Sequence, residues 1–283
     1  MGGNAPPHPR ERRGRAVSRI LVTGAAGAVG TLIRPRLARP GRILRLLDTV
    51  ELEPAEAEEF VRASVTDPEA MERACADVDA VVHLGGISVE APWRDILDVN
   101  INGTCTVFEA ARRAGVPRVV FASSNHAVGY RTPDEYPLTA ATPPLPDTYY
   151  GVSKAAGEAL GALYHHRYGL DVVCVRIMTC CTEPPDARAL STWLSPDDCG
   201  RLLEACLTAP KPGYRIVYGV SRNTRGGWVS LDEARALGYE PADDAERHAA
   251  AVLAAHGEPP ADDPVFAHVG GPFTAAEFDA DRL

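Results

Sequence analysis

The run Ile20-Leu-Val-Thr23 passes straight into Gly24-Ala-Ala-Gly27-Ala-Val-Gly30, and this junction constrains the fold more than any other part of the chain. The apolar run reads as a buried strand, and helical periodicity begins just after it, over 28–38. Glycines at such a turn have separate uses. Gly24 permits the tight turn, Gly27 lets a pyrophosphate approach the backbone, and Gly30 lets the helix pack closely on the sheet. Ala28 and Val29 open that helix, whose free N–H groups and positive dipole end suit an anion. Three spaced glycines alone are a weak signal. A strand before them and a helix after them make dinucleotide binding the better reading.

The alternation continues. Segments 18–24, 42–48, 79–84, 118–123 and 170–176 read as buried strands, with helical periodicity over 28–38, 67–76, 96–114 and 148–168. Strands separated by helices imply crossover connections and a parallel sheet covered on both faces: an α/β, doubly wound, Rossmann-type fold. Past Arg176 the pattern loosens, with a strand expected over 214–220 and helices over 196–209 and 231–237. The expected division is a disordered extension (1–17), a dinucleotide-binding domain (18–176) and a small C-terminal substrate-binding part (177–283) integrated with the same fold.

Composition removes several function classes. A net charge of −9 argues against a nucleic-acid partner, and no apolar run is long enough for a membrane helix. The polar opening 1–17 has no apolar core of a secretory signal. Seven scattered cysteines without C-x-x-C spacing make zinc improbable and fit a reducing cytoplasm.

Asp48 closes the second strand. A carboxylate there accepts hydrogen bonds from the adenosine ribose and repels a 2′-phosphate, and the following Thr49-Val50-Glu51 offers no arginine, so NAD is expected over NADP. Aspartate also ends strands for turn chemistry alone; its position after the glycine turn carries the reading.

Tyr150 and Lys154 stand four apart near the start of a helix, on one face. A phenol is a poor base near neutrality and needs a nearby ammonium to stabilise the phenolate. The spacing is common in helices, but the chain holds only two lysines, Lys154 and Lys211, and uses arginine nearly everywhere else. Ser124, at the carboxyl end of the strand Val119–Ala122, is expected to hold the reacting oxygen, with Ser123 its structural neighbour.

With these residues placed, the chain resembles the extended short-chain dehydrogenases over nearly all of 18–280, and among them most those that oxidise hexuronic acids. The resemblance is carried by His83-Leu-Gly-Gly-Ile-Ser-Val-Glu90, Phe121-Ala-Ser-Ser-Asn-His126, Tyr150-Gly-Val-Ser-Lys154 and Arg188-Ala-Leu-Ser-Thr-Trp193. It implies an NAD-dependent oxidoreductase that removes hydride from C1 of D-galacturonate or D-glucuronate, gives the aldaro-lactone, and uses Tyr150 as base. It places Ser64, Val65, Leu84, Gly85, Gly86 and Cys180 around the cofactor, with Asn100 as the structural asparagine. It places Ser88, Asn125, His126 and Thr179 at the sugar and Arg188 on its carboxylate, where a guanidinium is the natural bidentate partner. It also implies a cytoplasmic homo-oligomer acting on a small-molecule acid.

Three positions depart from the family pattern. Ser64-Val65 replaces an Asp-Leu, so that the resemblance has the adenine amino group meet a hydroxyl rather than a carboxylate; Thr179 stands where serine is common, and Cys180-Cys181 is unusual. Two competing readings share the scaffold. A nucleotide-sugar epimerase or dehydratase needs a larger C-terminal part, and a dehydratase needs acidic residues where Asn125 and His126 stand. A non-catalytic NAD-binding regulator often lacks the tyrosine or lysine, and both are here.

Overall fold

A computed structural model describes residues 18–258, 260 and 264–275. The expected disordered extension, 1–17, lies outside the described residues. In chain order the elements are β1 (Arg19–Thr23), α1 (Ala28–Leu37), β2 (Ile43–Asp48), β3 (Glu58–Arg62), α2 (Pro68–Cys75), β4 (Ala80–His83), α3 (Trp93–Asp95), α4 (Gly103–Arg113), β5 (Arg118–Ser124) and α5 (Tyr149–Tyr168). After these come β6 (Asp171–Ile177), β7 (Thr179–Cys180), α6 (Ala189–Thr192), β8 (Trp193–Leu194), α7 (Pro196–Thr208), β9 (Tyr214–Gly219), α8 (Asp232–Ala236) and α9 (Ala249–His256).

Seven strands form one sheet in the order β3-β2-β1-β4-β5-β6-β9, and every pairing in it is parallel. Chain order reverses between β1 and β4, which opens a crevice beyond their carboxyl ends. Alternate residues of each strand feed opposite layers. Ile20, Val22, Val82, Val120 and Val175 pack with Ile33 and Leu37 of α1 and Leu202 of α7. Leu21, Val81, Val119 and Phe121 pack with Met71 of α2, Phe108 of α4 and Tyr164 of α5. Each fully buried side chain of this size contributes roughly 1.5–3 kcal/mol.

The expected Rossmann-type sheet is therefore present, with two additions. Glu58–Arg62 was not expected as a strand, because an edge strand half-covered on one side needs no apolar run. Its ladder to β2 and the packing of Phe60 and Val61 on the core hold it, and ion pairs add to them: Arg19 and Arg45 to Glu59, Arg34 to Glu58. Ala249–His256 is a helix whose alanine-rich sequence has no apolar stripe to reveal it. The C-terminal part is joined to the same sheet, since β9 pairs with β6 along its length. Among the described residues, no helix is long and apolar enough to cross a membrane.

The helix expected over 96–114 is divided. Ile96–Asn102 is wound as a wide π-helix before α4 begins at Gly103, and Asn100 sits buried in the widened stretch. Helix α5 starts at Thr148, whose hydroxyl accepts from the Gly151 N–H, and stops at left-handed Gly169. It lies close on the sheet because a Cβ at Gly157 would overlap the Phe121 ring. Near the carboxyl terminus, the segment 264–275 returns across the molecule. Val269 N–H donates to the Arg131 carbonyl at 2.9 Å and Gly270 N–H to Gly129 at 2.8 Å.

Candidate active site

A cleft of about 550 Å³ opens at the crevice between β1 and β4 and runs to the carboxyl ends of β5 and β6. The glycine turn, Asp48, Ser64, Val65, Leu84 to Ser88, Ser124 to His126, Tyr150, Lys154 and Cys180 all line it.

At one end the turn is shaped for an anion. Gly24 has φ +70°, and a Cβ there would lie 2.7 Å from the Gly85 backbone; at Gly30 it would overlap the Gly24 carbonyl. Both positions therefore require glycine for protein geometry alone. At Gly27 a Cβ would meet only the Gly24 carbonyl, at 3.2 Å, which leaves that backbone open to a ligand. Helix α1 begins at Gly27 with no side-chain cap, so its first N–H groups stay available. Asp48 braces the turn by accepting from Ala26 N–H at 2.9 Å and Val50 N–H at 3.0 Å. An anionic turn-binder with a ribose near Asp48, such as NAD, fits this donor set. At the expected adenine end, the Ser64 hydroxyl is engaged with Thr66, 2.8 Å away.

A polar spine runs behind the cleft. The Thr23 hydroxyl accepts from Gly85 N–H at 3.2 Å and lies 2.8 Å from His83 Nδ1, and His83 Nε2 lies 3.1 Å from the Thr104 hydroxyl. Burial, with Lys154 nearby, pushes the His83 pKa down to about 3, so the ring is neutral. One ring nitrogen therefore donates to its threonine hydroxyl and the other accepts from the hydroxyl facing it. Asn100 accepts from Ile87 N–H at 2.7 Å, donates to the Ile87 carbonyl at 2.9 Å and donates to Ser153 at 3.0 Å. Glu90 accepts from Tyr150 N–H at 2.9 Å. The loop bearing Ser88 is thereby tied at both ends to the framework that holds α5.

Tyr150 and Lys154 share the inner face of α5, both buried. Burial pushes the Tyr150 phenol up to about 12, opposed by a hydrogen bond with Ser124. Burial pulls the Lys154 ammonium down to about 8. Lys154 donates to the Ala122 carbonyl at 2.7 Å and lies 5.4 Å from the Tyr150 ring centre. Strand alternation separates the two serines. Ser123 donates to Glu158 at 2.6 Å, and Glu158 also takes Nε and Nη2 of buried Arg176 at 2.8 Å each. Ser124 faces Tyr150.

At the other end stand the residues expected at the sugar. Ser88, Asn125 and His126 line the cleft, whereas Thr179 and Arg188 do not. The Thr179 hydroxyl pairs with Thr192 at 2.8 Å. Arg188 is buried beneath the segment 264–275, donating through Nη2 to the Val269 carbonyl and lying 5.2 Å over the Trp228 ring. Asn125 donates to the same carbonyl at 3.0 Å. Of three buried arginines among the described residues, Arg42 closes on Glu204 and Arg176 on Glu158, but Arg188 closes on no carboxylate. Its buried Nε has no partner, and burial pulls its pKa down from the ordinary value.

Three site neighbours escaped the sequence reading. His126 Nδ1 lies 2.7 Å from Asp147, whose side chain is fully buried. The His126 ring stacks on Phe273, centroids 4.2 Å apart. Val269 carries the carbonyl on which Asn125 and Arg188 meet. Phe273 and Val269 sit far along the chain, and Asp147 lies in a loop where aspartate is ordinary. No metal-ligating cluster is found among the described residues.

The sheet and cleft define a class, and comparison with known proteins gives the same one: the chain belongs to the NAD-dependent epimerase/dehydratase family, whose model matches residues 20–194. More particularly, it is 43% identical over 261 residues to the uronate dehydrogenase of Pseudomonas syringae pv. tomato, covering 92% of this chain and 94% of that one. A solved uronate dehydrogenase from Agrobacterium tumefaciens, a variant complexed with NAD, superposes with a TM-score of 0.86 at 43% identity, covering 92% of this chain and 97% of that one. The NAD-dependent glucose-6-phosphate dehydrogenase of Haloferax volcanii is 43% identical over 246 residues, 79% of this chain and 93% of that protein.

Proposed function

We propose that this chain is an NAD-dependent uronate dehydrogenase that oxidises D-galacturonate or D-glucuronate at C1 to the aldaro-lactone. The observation that carries the substrate reading is Arg188. A guanidinium buried without a carboxylate partner is costly, and a sugar acid supplies the missing charge. The whole-length likeness to uronate dehydrogenases supports the same reading.

Gly24, Gly27, Ala28, Val29 and Gly30 would hold the pyrophosphate and Asp48 the adenosine ribose. Ser64, Val65, Leu84, Gly85, Gly86, Asn100 and Cys180 would form the surrounding wall. NAD, when bound, supplies the hydride acceptor. Tyr150 takes the C1 hydroxyl proton, Ser124 holds the reacting oxygen, and Lys154 supplies the positive charge a phenolate needs. Ser88, Asn125 and His126 meet the sugar hydroxyls; Arg188, which shares the Val269 carbonyl with cleft-lining Asn125, would meet the carboxylate in exchange for that carbonyl, and Thr179 shapes the site from behind. Because C1 of a pyranose carries the ring oxygen, its oxidation leaves a cyclic ester.

We assign 18–176 to cofactor binding and 177–283 to the substrate. We also place the protein in the cytoplasm as a homo-oligomer, without a nucleic-acid or membrane partner; free cysteines fit a reducing compartment, and the net charge of −9 suits a chain that does not bind nucleic acid.

Absorbance at the NADH band, followed with D-galacturonate, D-glucuronate, galactose, glucose 6-phosphate and UDP-glucose in turn, tests the reading. Turnover with the uronates alone is expected. Preference for glucose 6-phosphate would assign Arg188 to a phosphate, and conversion of the UDP-sugar without net NADH would make the chain an epimerase.

A further inference from the structure

We propose that Asp147 is a positioning residue of the sugar site, fixing the His126 ring with hydrogen on Nδ1 and leaving Nε2 as an acceptor for a substrate hydroxyl. The identity of that ligand rests on the dehydrogenase reading above; the ring's orientation rests on geometry alone.

Asp147 stands immediately before the cap of α5. Its Oδ2 lies 2.7 Å from His126 Nδ1, and Oδ1 accepts from the Thr148 hydroxyl at 3.0 Å. The cavity around this carboxylate is built from three separate segments. A Cβ at Gly129, after β5, or at Gly270, in the C-terminal segment, would overlap Oδ2, and one at Gly151, in the first turn of α5, would come within 3.0 Å of Oδ1. Room for one buried carboxylate is thus supplied by glycine on each side.

An ionised carboxylate has no hydrogen to donate, so the nitrogen facing it must carry one. An amide in the same place could face the ring with either end and would leave both tautomers open. The ring plane is held independently by Phe273, stacked at 4.2 Å, and one edge meets Tyr150 with centroids 5.7 Å apart. Asp147 therefore decides which nitrogen of a ring beside the reacting phenol accepts a hydrogen bond. The same relationship, a buried acid holding a histidine in one tautomer, makes replacement of the acid by its amide costly elsewhere.

Ring ¹⁵N NMR of His126 and steady-state kinetics in the full chain test this with Asp147→Asn. The wild type should show hydrogen on Nδ1. The variant should show it wholly or partly on Nε2, with kcat/KM for D-galacturonate down roughly tenfold or more and KM for NAD within about twofold. In a His126→Gln background the same substitution should cost nothing further, because Asp147 acts through the ring. An unchanged tautomer, or an equal loss in the His126→Gln background, would overturn the proposal. The NMR result does not depend on turnover, so a wild type silent with uronates would sink the dehydrogenase reading while the tautomer test still decides the role of Asp147.

Discussion

Lys154 Nζ lies 5.4 Å from the centre of the Tyr150 ring while donating to the Ala122 carbonyl at 2.7 Å. Strand β5 thus sets where the ammonium sits relative to the phenol. Burial moves the two groups in opposite directions, Tyr150 up to about 12 and Lys154 down to about 8. It disfavours the charged form of each, as expected for groups taken out of water.

That makes Lys154 a cost to the fold. With a folded pKa of about 8 against an ordinary 10.5, the unfolded chain binds more protons between those values. Stability therefore rises with pH across that window, and the full penalty, at most about 3 kcal/mol, is present below it. Lys154→Met leaves the Ala122 carbonyl without its donor, which costs roughly 1 kcal/mol. The variant should still melt a few degrees above wild type at pH 7, with the gap shrinking at pH 9.5, while turnover falls about a hundredfold or more. A lower melting point at pH 7 would contradict the buried-charge account.

Much of this site could be read from the sequence because its parts are local. A strand, a glycine turn and a helix are contiguous, and Tyr150 and Lys154 share one helical turn. What escaped depends on contacts distant in sequence. His126 and Phe273 meet only because 264–275 folds back, and Asp147 is recognisable only from the glycines around it. Strand β3 escaped because only Phe60 and Val61 of its five residues are apolar, while the ladder to β2 and ion pairs supply the rest of its hold. Within the divided stretch 96–114, Asn100 reaches Ile87, a contact that helical periodicity does not encode.

Arg188→Ala should raise KM for uronates roughly 30- to 1000-fold, the loss of a buried charge-assisted pair, with NAD binding near normal. Weak competitive binding of galactose, which lacks the carboxylate, should change far less. Arg188→Lys should recover part of the affinity, since an ammonium can meet a carboxylate but not as a two-pronged donor. Equal losses for galactose and galacturonate would remove the carboxylate role. A thermal melt separates that from collapse of the Val269 contact.

Two glycines of one turn should respond differently. Gly24→Ala places a Cβ 2.7 Å from the Gly85 backbone at φ +70° and should destabilise the fold by about 1–3 kcal/mol or more. Gly27→Ala meets one carbonyl at 3.2 Å and should fold nearly as wild type, yet bind NAD more weakly, because the methyl occupies the pyrophosphate's approach. Paired melting and fluorescence titration with NADH check both. Equal loss of stability in the two variants would contradict this division.

Ser64 offers a gain. Its hydroxyl accepts from Thr66 N–H at 3.2 Å and pairs with the Thr66 hydroxyl at 2.8 Å, so little of it is left for a ligand. Ser64→Asp keeps an acceptor for Thr66 and adds a second oxygen toward the cleft, where an adenine amino group can donate to it. A hydrogen bond to a charged acceptor is worth about 1.5–3 kcal/mol, reduced here by solvent at the open cleft and by repulsion from Asp48. Tightening of NAD binding by about three- to tenfold is expected, with kcat for D-galacturonate unchanged. Weaker NAD binding would mean that repulsion between the two carboxylates outweighs the new contact, and that serine at this position is an adaptation to Asp48.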